Sequence, residues 1–225
     1  APQLFLFNSF FVFNNLEIKM ELLLAIENRF SARHFKSDPV PKEVLEEMVR
    51  SAALAPSINN SQPYKFLAIT NKKIINQIAD VIHAKIEAIF PTTDEKEIER
   101  IKLAVDISST FFVNAPAIIL VLSQPYEAVI DKIATKINLT HDEINKIRNY
   151  PNVQSIGAAV QNLLLTAVDL DYAGCWITGL LIAREEIENL LEIKSPFTIA
   201  ACIAVGKSST EKPIKEKNLL TKFLK

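Results

Sequence analysis

A chain of 225 residues, 49% apolar and 23% charged, is long enough for one domain with a full core or for two small ones. Its net charge of −1 comes with no basic stripe of the kind that binds nucleic acid. Average usage would give about sixteen glycines; the four present form neither a G-x-G-x-x-G nor a P-loop, so glycine-rich phosphate binding loses its main device.

Residues 1–19, APQLFLFNSFFVFNNLEIK, carry five phenylalanines but no basic lead-in and no A-x-A site, and they are too short and polar to span a bilayer. They read as an N-terminal extension of unassigned origin, and residues 20–225 as a single domain. No other segment reads as a membrane span. A short helix is expected over residues 20–27, then the extended or looped stretch NRFSARHFKSDPVP. An amphipathic helix over residues 41–55 places Val44, Leu45, Met48, Val49 and Ala52 on one face.

Beyond it a strand is expected over residues 64–70 and a helix over 72–90, broken by Pro91. Thr92 to Glu95 reads as a capping box opening a helix to about residue 107. The continuous apolar run APAIILVLS (115–123) reads as a strand buried on both faces. Thr140 and Glu143 form a second capping box, and a long, mostly apolar helix is expected over residues 153–170. YAGCWIT (172–178) and FTIAACIAVG (197–206) read as strands. Helices and strands mix without strict alternation, which predicts an α+β fold.

The two cysteines, Cys175 and Cys202, lie inside apolar runs and read as buried thiols, in keeping with a reducing cytoplasm. His34, His83 and His141 lack ligand spacing, which argues against a metal site. Three stretches carry possible chemistry. In an extended chain Arg29, Ser31 and Arg33 face one way, about 6–7 Å apart. Two guanidinium forks flanking a hydroxyl suit a phosphate; they equally suit surface salt bridges. LAPSINNSQPYKF (54–66) places five short polar residues between two prolines before a buried strand. It is either a solvated connection or a set of amides and hydroxyls that bind a polar group. Gly179, ending CWITG, is either a strand-terminating turn or a place where a backbone N–H approaches a flat ligand. Gly157, inside the long helix, reads as a close helix–helix contact.

In this order the motifs resemble the nitroreductase family of FMN-dependent oxidoreductases. NRFSARHF is similar to its R-x-S-x-R-x-F opening, and APSINNSQPYKF to its A-P-S-x-x-N-x-Q-P-aromatic-x-F segment. GAAVQNLLLTAVDLDYAGCWITG resembles its G-A-A-x-Q-N helix followed by W-x-x-G, and AACIAVGK with EKPIKEK resembles its last strand and basic tail. The likeness covers roughly residues 20–217.

The resemblance implies a nitroreductase-like α+β fold, with a mostly antiparallel or mixed sheet flanked by helices, in an intertwined homodimer. It implies FMN as cofactor, NADH or NADPH as donor, and hydride transfer through flavin N5 to a small acceptor such as a nitroaromatic, quinone or enone. No nucleic-acid or membrane partner is implied, and the setting is cytoplasmic. Arg29, Ser31 and Arg33 would hold the phosphate and ribityl chain. Pro56, Ser57, Asn60 and Gln62 would line the flavin pocket, in part from the partner subunit. Thr178 and Gly179 would lie beside the ring, with the Gly179 N–H directed at N5. Lys215 or Lys217 would reach the phosphate. Phe30 stands in the phosphate motif where a basic or polar residue is common, and Asp171 where glycine is usual. No catalytic side chain is implied. The alternatives are a non-catalytic FMN-binding or dimeric scaffold, and a relative with reductive dehalogenase or flavin-metabolising activity.

Overall fold

The computed structural model describes residues 21–91 and 93–214. The Phe-rich extension, Thr92, Lys215 and Lys217 lie outside the described residues. The chain begins with α1 (Leu22–Asn28) and α2 (Lys42–Ala53), followed by β1 (Tyr64–Ile69). Helix α2 buries Leu45, Met48 and Ala52, the face expected from the spacing. Helix α3 (Lys72–Ile89) is capped by Asn71, whose side chain accepts from the Lys73 and Ile74 amides. It buries Ile75, Ile78, Ala79, Ile82 and Ile86, a run of helical period.

Helix α4 (Lys96–Thr110) starts later than the capping-box reading placed it. Its N-cap is Glu95, with no side-chain cap, and the Thr93 hydroxyl is used instead on the Glu95 amide. After β2 (Ala117–Ser123) comes a 3-10 segment, Val129–Ile137, and then α5 (His141–Ile147). The capping box of Thr140 and Glu143 is present in both directions. Helix α6 (Pro151–Asp169) takes Pro151 as a first-turn residue, where its missing N–H leaves no bond unmade. Strand β3 (Ala173–Ile177), helix α7 (Arg184–Leu190) and β4 (Thr198–Gly206) complete the described chain.

The sheet order is β1-β2-β4-β3, with every neighbouring pair antiparallel. Alternation sorts the core into two layers. Ile118, Leu120, Cys202, Ala204, Cys175 and Ile177 point to the side covered by α3 and α7. Ala117, Ile119, Val121, Ala201, Ile203 and Val205 point to the side covered by α2 and α6. Strand β2 is therefore buried on both faces, as its unbroken apolar run requires. The α+β expectation holds. No described helix is long and apolar enough to cross a membrane.

Candidate functional site

The segment after α1 runs along the free edge of β3. Ser31 forms a parallel bridge with Gly174, and the Ala32 N–H donates to the Gly174 carbonyl at 3.3 Å. Further on, Phe35 bridges Ser208. These bonds hold residues 31–35 extended. Ala32 is buried, while Ser31 and Arg33 on either side of it are exposed. Period-2 alternation is thus realised as expected.

Arg29, Ser31 and Arg33 all act on one residue of β3, Cys175. Burial pushes the Cys175 thiol up, and Arg33, a hydrogen bond with Ser31 and Arg29 oppose that rise. The Arg33 guanidinium also lies 5.8 Å from the centre of the Phe111 ring, at the end of α4. Among the described residues, no carboxylate pairs with Arg29 or Arg33. That disfavours the surface salt-bridge reading. Phe30 is half-buried. Both cysteines are buried free thiols, as their setting in the sequence predicted.

Strand β3 leads directly into Thr178 and Gly179, which follow its last residue, Ile177. A Cβ placed on Gly179 would stand 2.7 Å from Ser109 Oγ and 3.2 Å from Ser109 Cα. Its φ is not positive. Close packing against α4 therefore demands glycine here, independently of any ligand. Gly157 is different: a Cβ there would meet only the Trp176 ring, at 3.7 Å. Among the described residues of the single chain, Gly157 faces the Trp176 ring of β3 with ordinary clearance rather than another helix.

The polar loop sits elsewhere. It leads into β1, the edge of the sheet opposite β3, with β2 and β4 between. Three strand spacings of about 4.8 Å separate the two edges, roughly 14 Å. Within one chain the loop and the arginine segment are not brought together.

The loop's composition has a partly conformational cause. Asn59 and Asn60 are left-handed, with φ of 49° and 52°, which asparagine tolerates better than most residues. Gln62 is also left-handed, and its N–H donates to Ser57 Oγ at 3.0 Å. The Ile58 N–H donates to Ser155 Oγ of α6, fixing the loop to the long helix. Pro56, Asn60 and Gln62 are exposed and Ser57 is half-buried. One of its atoms stays unsatisfied: Ser61 Oγ is buried and has no hydrogen-bond partner among the described residues.

Sequence reasoning passed over Cys175 as a member of this cluster, and Ser109 and Phe111 as its neighbours. No local pattern signals the first, because alternation turns Cys175 to the face opposite the one that Gly174 shares with its bridge partner Ser31. Nothing in the local sequence signals the other two, which arrive from a distant helix. Among the described residues, no group of three or more His, Cys, Asp or Glu side chains is arranged to hold a metal.

Comparison with known proteins adds four findings. Residues 26–207 match the sequence model of the Nitroreductase family. The fold is similar to that of a BluB-like flavoprotein from Clostridium difficile 630, with a TM-score of 0.82 and 30% identity, over 92% of this chain and 100% of that one. Among curated proteins, the chain is 26% identical over 156 residues to iodotyrosine deiodinase of Hydra vulgaris. That alignment covers 66% of this chain and 53% of the Hydra protein, so the chain spans about half of that relative's length. A nitroreductase with bound FMN from Desulfitobacterium hafniense DCB-2 shares the fold at a TM-score of 0.64 and 20% identity, over 88% of this chain and 94% of that one.

Proposed function

The chain belongs to the nitroreductase family, and from that membership we propose that it is an FMN-dependent oxidoreductase acting on small organic acceptors, with NADH or NADPH as donor. Residues 20–225 form its FMN-binding domain. The observation that carries the proposal is the cluster of Arg29, Ser31 and Arg33 on the β3 edge, unpaired with any described carboxylate, beside the strand that ends in Thr178 and Gly179.

The donor set fits the cofactor. Two guanidiniums and a hydroxyl match a phosphate dianion, and the orphaned Ser61 Oγ in the polar loop awaits a polar partner. Arg29 and Arg33 would clamp the phosphate, with Ser31 between them on the phosphate or ribityl chain. Pro56, Ser57, Asn60 and Gln62 would line the pocket. Thr178 would flank the ring, and the Gly179 N–H is the donor offered to ring atom N5. Phe30 would contribute apolar contact only. Lys215 and Lys217 remain candidates for a further phosphate contact. Bound FMN supplies the two-electron chemistry that none of these side chains carries.

The topology supports a shared assembly. The loop and the arginine segment lie at opposite edges of one sheet, so a pocket using both takes them from two chains. We therefore assign a homodimer with shared sites. Its surface is available: Leu22, Leu23, Leu24 and Ile26 of α1, Leu54 after α2 and Val153 on α6 are all exposed in the single chain. Exposed apolar patches of this kind mark interaction surfaces.

A second reading, reductive dehalogenation, is favoured by the similarity to iodotyrosine deiodinase. One anaerobic experiment addresses both. Flavin absorbance of the FMN-loaded protein should bleach on adding NADH or NADPH and return on adding a nitroaromatic or quinone. Return with a halophenol alone would select the second reading. A flavin that stays oxidised with both nicotinamides, yet is bleached by dithionite, would mark a binding scaffold.

A further inference from the structure

Beside Asn59 of the polar loop lies an open groove of about 580 Å³, also lined by Val129, Ile130, Lys132, Ile133 and Arg148. We propose that it selects a small organic anion, an apolar body bearing one carboxylate or phenolate, as the acceptor or competing ligand of this protein. The inference rests on the oxidoreductase reading, because it names the class of molecule that the site receives.

The walls set the chemistry. Val129, Ile130 and Ile133 are successive outward residues of the 3-10 segment Val129–Ile137, and they are exposed at 73%, 37% and 46%. Three wet aliphatic side chains on one turn leave apolar area that a ligand body would cover, at roughly 25 cal/mol per Å² removed from water. The volume lies within the usual small-molecule range of roughly 300–1,000 Å³.

The polar part of the lining is cationic. Lys132 and Arg148 face the groove, and no lining residue is acidic. Lys132 is exposed and forms no ion pair among the described residues. Among the described residues, the Arg148 guanidinium donates one long bond, 3.5 Å, to Tyr126 Oη. Asp131, between Ile130 and Lys132 in the chain, has its Oδ2 engaged by the Ala128 N–H at 2.6 Å and the His141 ring at 2.8 Å, while its Oδ1 is buried without a hydrogen-bond partner among the described residues. Asp131 feels Arg148 electrostatically but is not part of the wall. Asn59, held left-handed, brings the polar loop to the same opening. An apolar floor beside two cations, without a facing acid, is complementary to an anion with a hydrocarbon body and discriminates against its neutral isostere.

The test is calorimetric titration of the FMN-loaded protein with 4-nitrobenzoate and with 4-nitrobenzamide, which differ in charge and little in shape. The nitrobenzoate should bind about 10-fold more tightly, the lower end of what a charge-assisted hydrogen bond contributes. Lys132→Glu, at an exposed position, should abolish that preference, and so should Arg148→Met. Arg148→Lys should keep part of it. Inorganic phosphate should bind at least 10-fold more weakly than nitrobenzoate, since it has charge without an apolar body. Equal binding of the two nitro compounds would overturn the proposal. So would a preference that survives Lys132→Glu and Arg148→Met, or phosphate binding as tight as nitrobenzoate, or a dimer whose partner chain fills the groove and admits no ligand. The two levels separate cleanly. A protein that takes no FMN contradicts the oxidoreductase reading, and the same titration of flavin-free protein then reads the groove alone. A protein that takes FMN and is bleached by NAD(P)H, yet shows no charge preference, contradicts only the anion proposal.

Discussion

Gly179 and Ser109 pack so closely that a single methyl group on the glycine would collide with the serine, 2.7 Å from its Oγ and 3.2 Å from its Cα. Ser109 lies in the last turn of α4 and is buried. The Oγ is free to rotate, but the Cα is backbone and is not. Gly179→Ala should therefore destabilise even the flavin-free protein by about 1–3 kcal/mol, the range for overpacking. The melting temperature should fall by roughly 2–4 °C for each kcal/mol. In a double-mutant cycle with Ser109→Gly the two changes should couple favourably. An unchanged melting temperature in Gly179→Ala would show that the contact relaxes at no cost.

The opposite-edge placement of the polar loop and the arginine segment predicts that flavin loading and assembly go together. Sedimentation of the FMN-loaded protein should give a dimer. Leu23→Asp together with Leu54→Asp places charge on two residues that are about 70% exposed in the single chain (73% and 72%). That pair of changes should yield a folded monomer with greatly weakened FMN binding. A monomer that retains stoichiometric flavin would contradict the shared site.

Asp171 occupies a left-handed turn, φ 62°, between α6 and β3. Its carboxylate pairs with Lys207 at 2.9 Å, but the Asp171 side chain is 90% exposed, so the pair contributes little. Here the backbone, not the charge, sets the residue. Asp171→Gly should stay within about 1 kcal/mol of wild type, because relief of the left-handed strain and greater freedom of the unfolded chain nearly cancel. Asp171→Val, β-branched, should lose about 1–3 kcal/mol. Denaturant titration of the two variants checks this, and equal stabilities would refute it.

The segment around the groove should respond to acid. Partial burial pushes the Asp131 carboxyl up, but the Ala128 N–H, the His141 hydrogen bond and charge, and Arg148 together outweigh it and hold the group below its ordinary value. A carboxyl lowered in the folded state contributes stability that is present in full above about pH 4 and is lost as pH falls through the lowered value. Hydrogen exchange over residues 129–147, corrected for the intrinsic rate, should therefore quicken between about pH 5 and about pH 3. In Asp131→Asn that step should vanish, and a step of unchanged size would assign it to another group.

Much of the fold was legible because its strands and helices carry clean periodicities. The unbroken run of β2 required burial on both faces, and Thr140 with Glu143 announced the start of α5. Helix α7 escaped because seven residues with one buried position, Ile187, are too short to show a period. The 3-10 segment Val129–Ile137 escaped because its apolar residues face outward, so its pattern has no core to answer to. At the site, the arginine segment was readable from alternation alone. The cause of the asparagines in the polar loop was not, since left-handed backbone at Asn59 and Asn60 is set by how the loop docks on Ser155, nearly a hundred residues away. Gly179 reads from the sequence as either a turn or a ligand approach, and its close neighbour in the fold, Ser109, is one that no local pattern could name.

The central claim is that Arg29, Ser31 and Arg33 hold the phosphate of FMN, and calorimetric titration of the flavin-free protein with FMN and with riboflavin tests it most directly. Riboflavin has the same ring and no phosphate. Hydrogen bonds to charged groups contribute about 1.5–3 kcal/mol, so Arg33→Ala should weaken FMN binding roughly 10- to 100-fold and leave the weaker riboflavin binding nearly unchanged. Arg33→Lys should recover part of the loss through charge without the fork. Equal losses for both flavins in Arg33→Ala would mean that the arginine supports the packing around Phe111 and Cys175, and the phosphate assignment would be wrong.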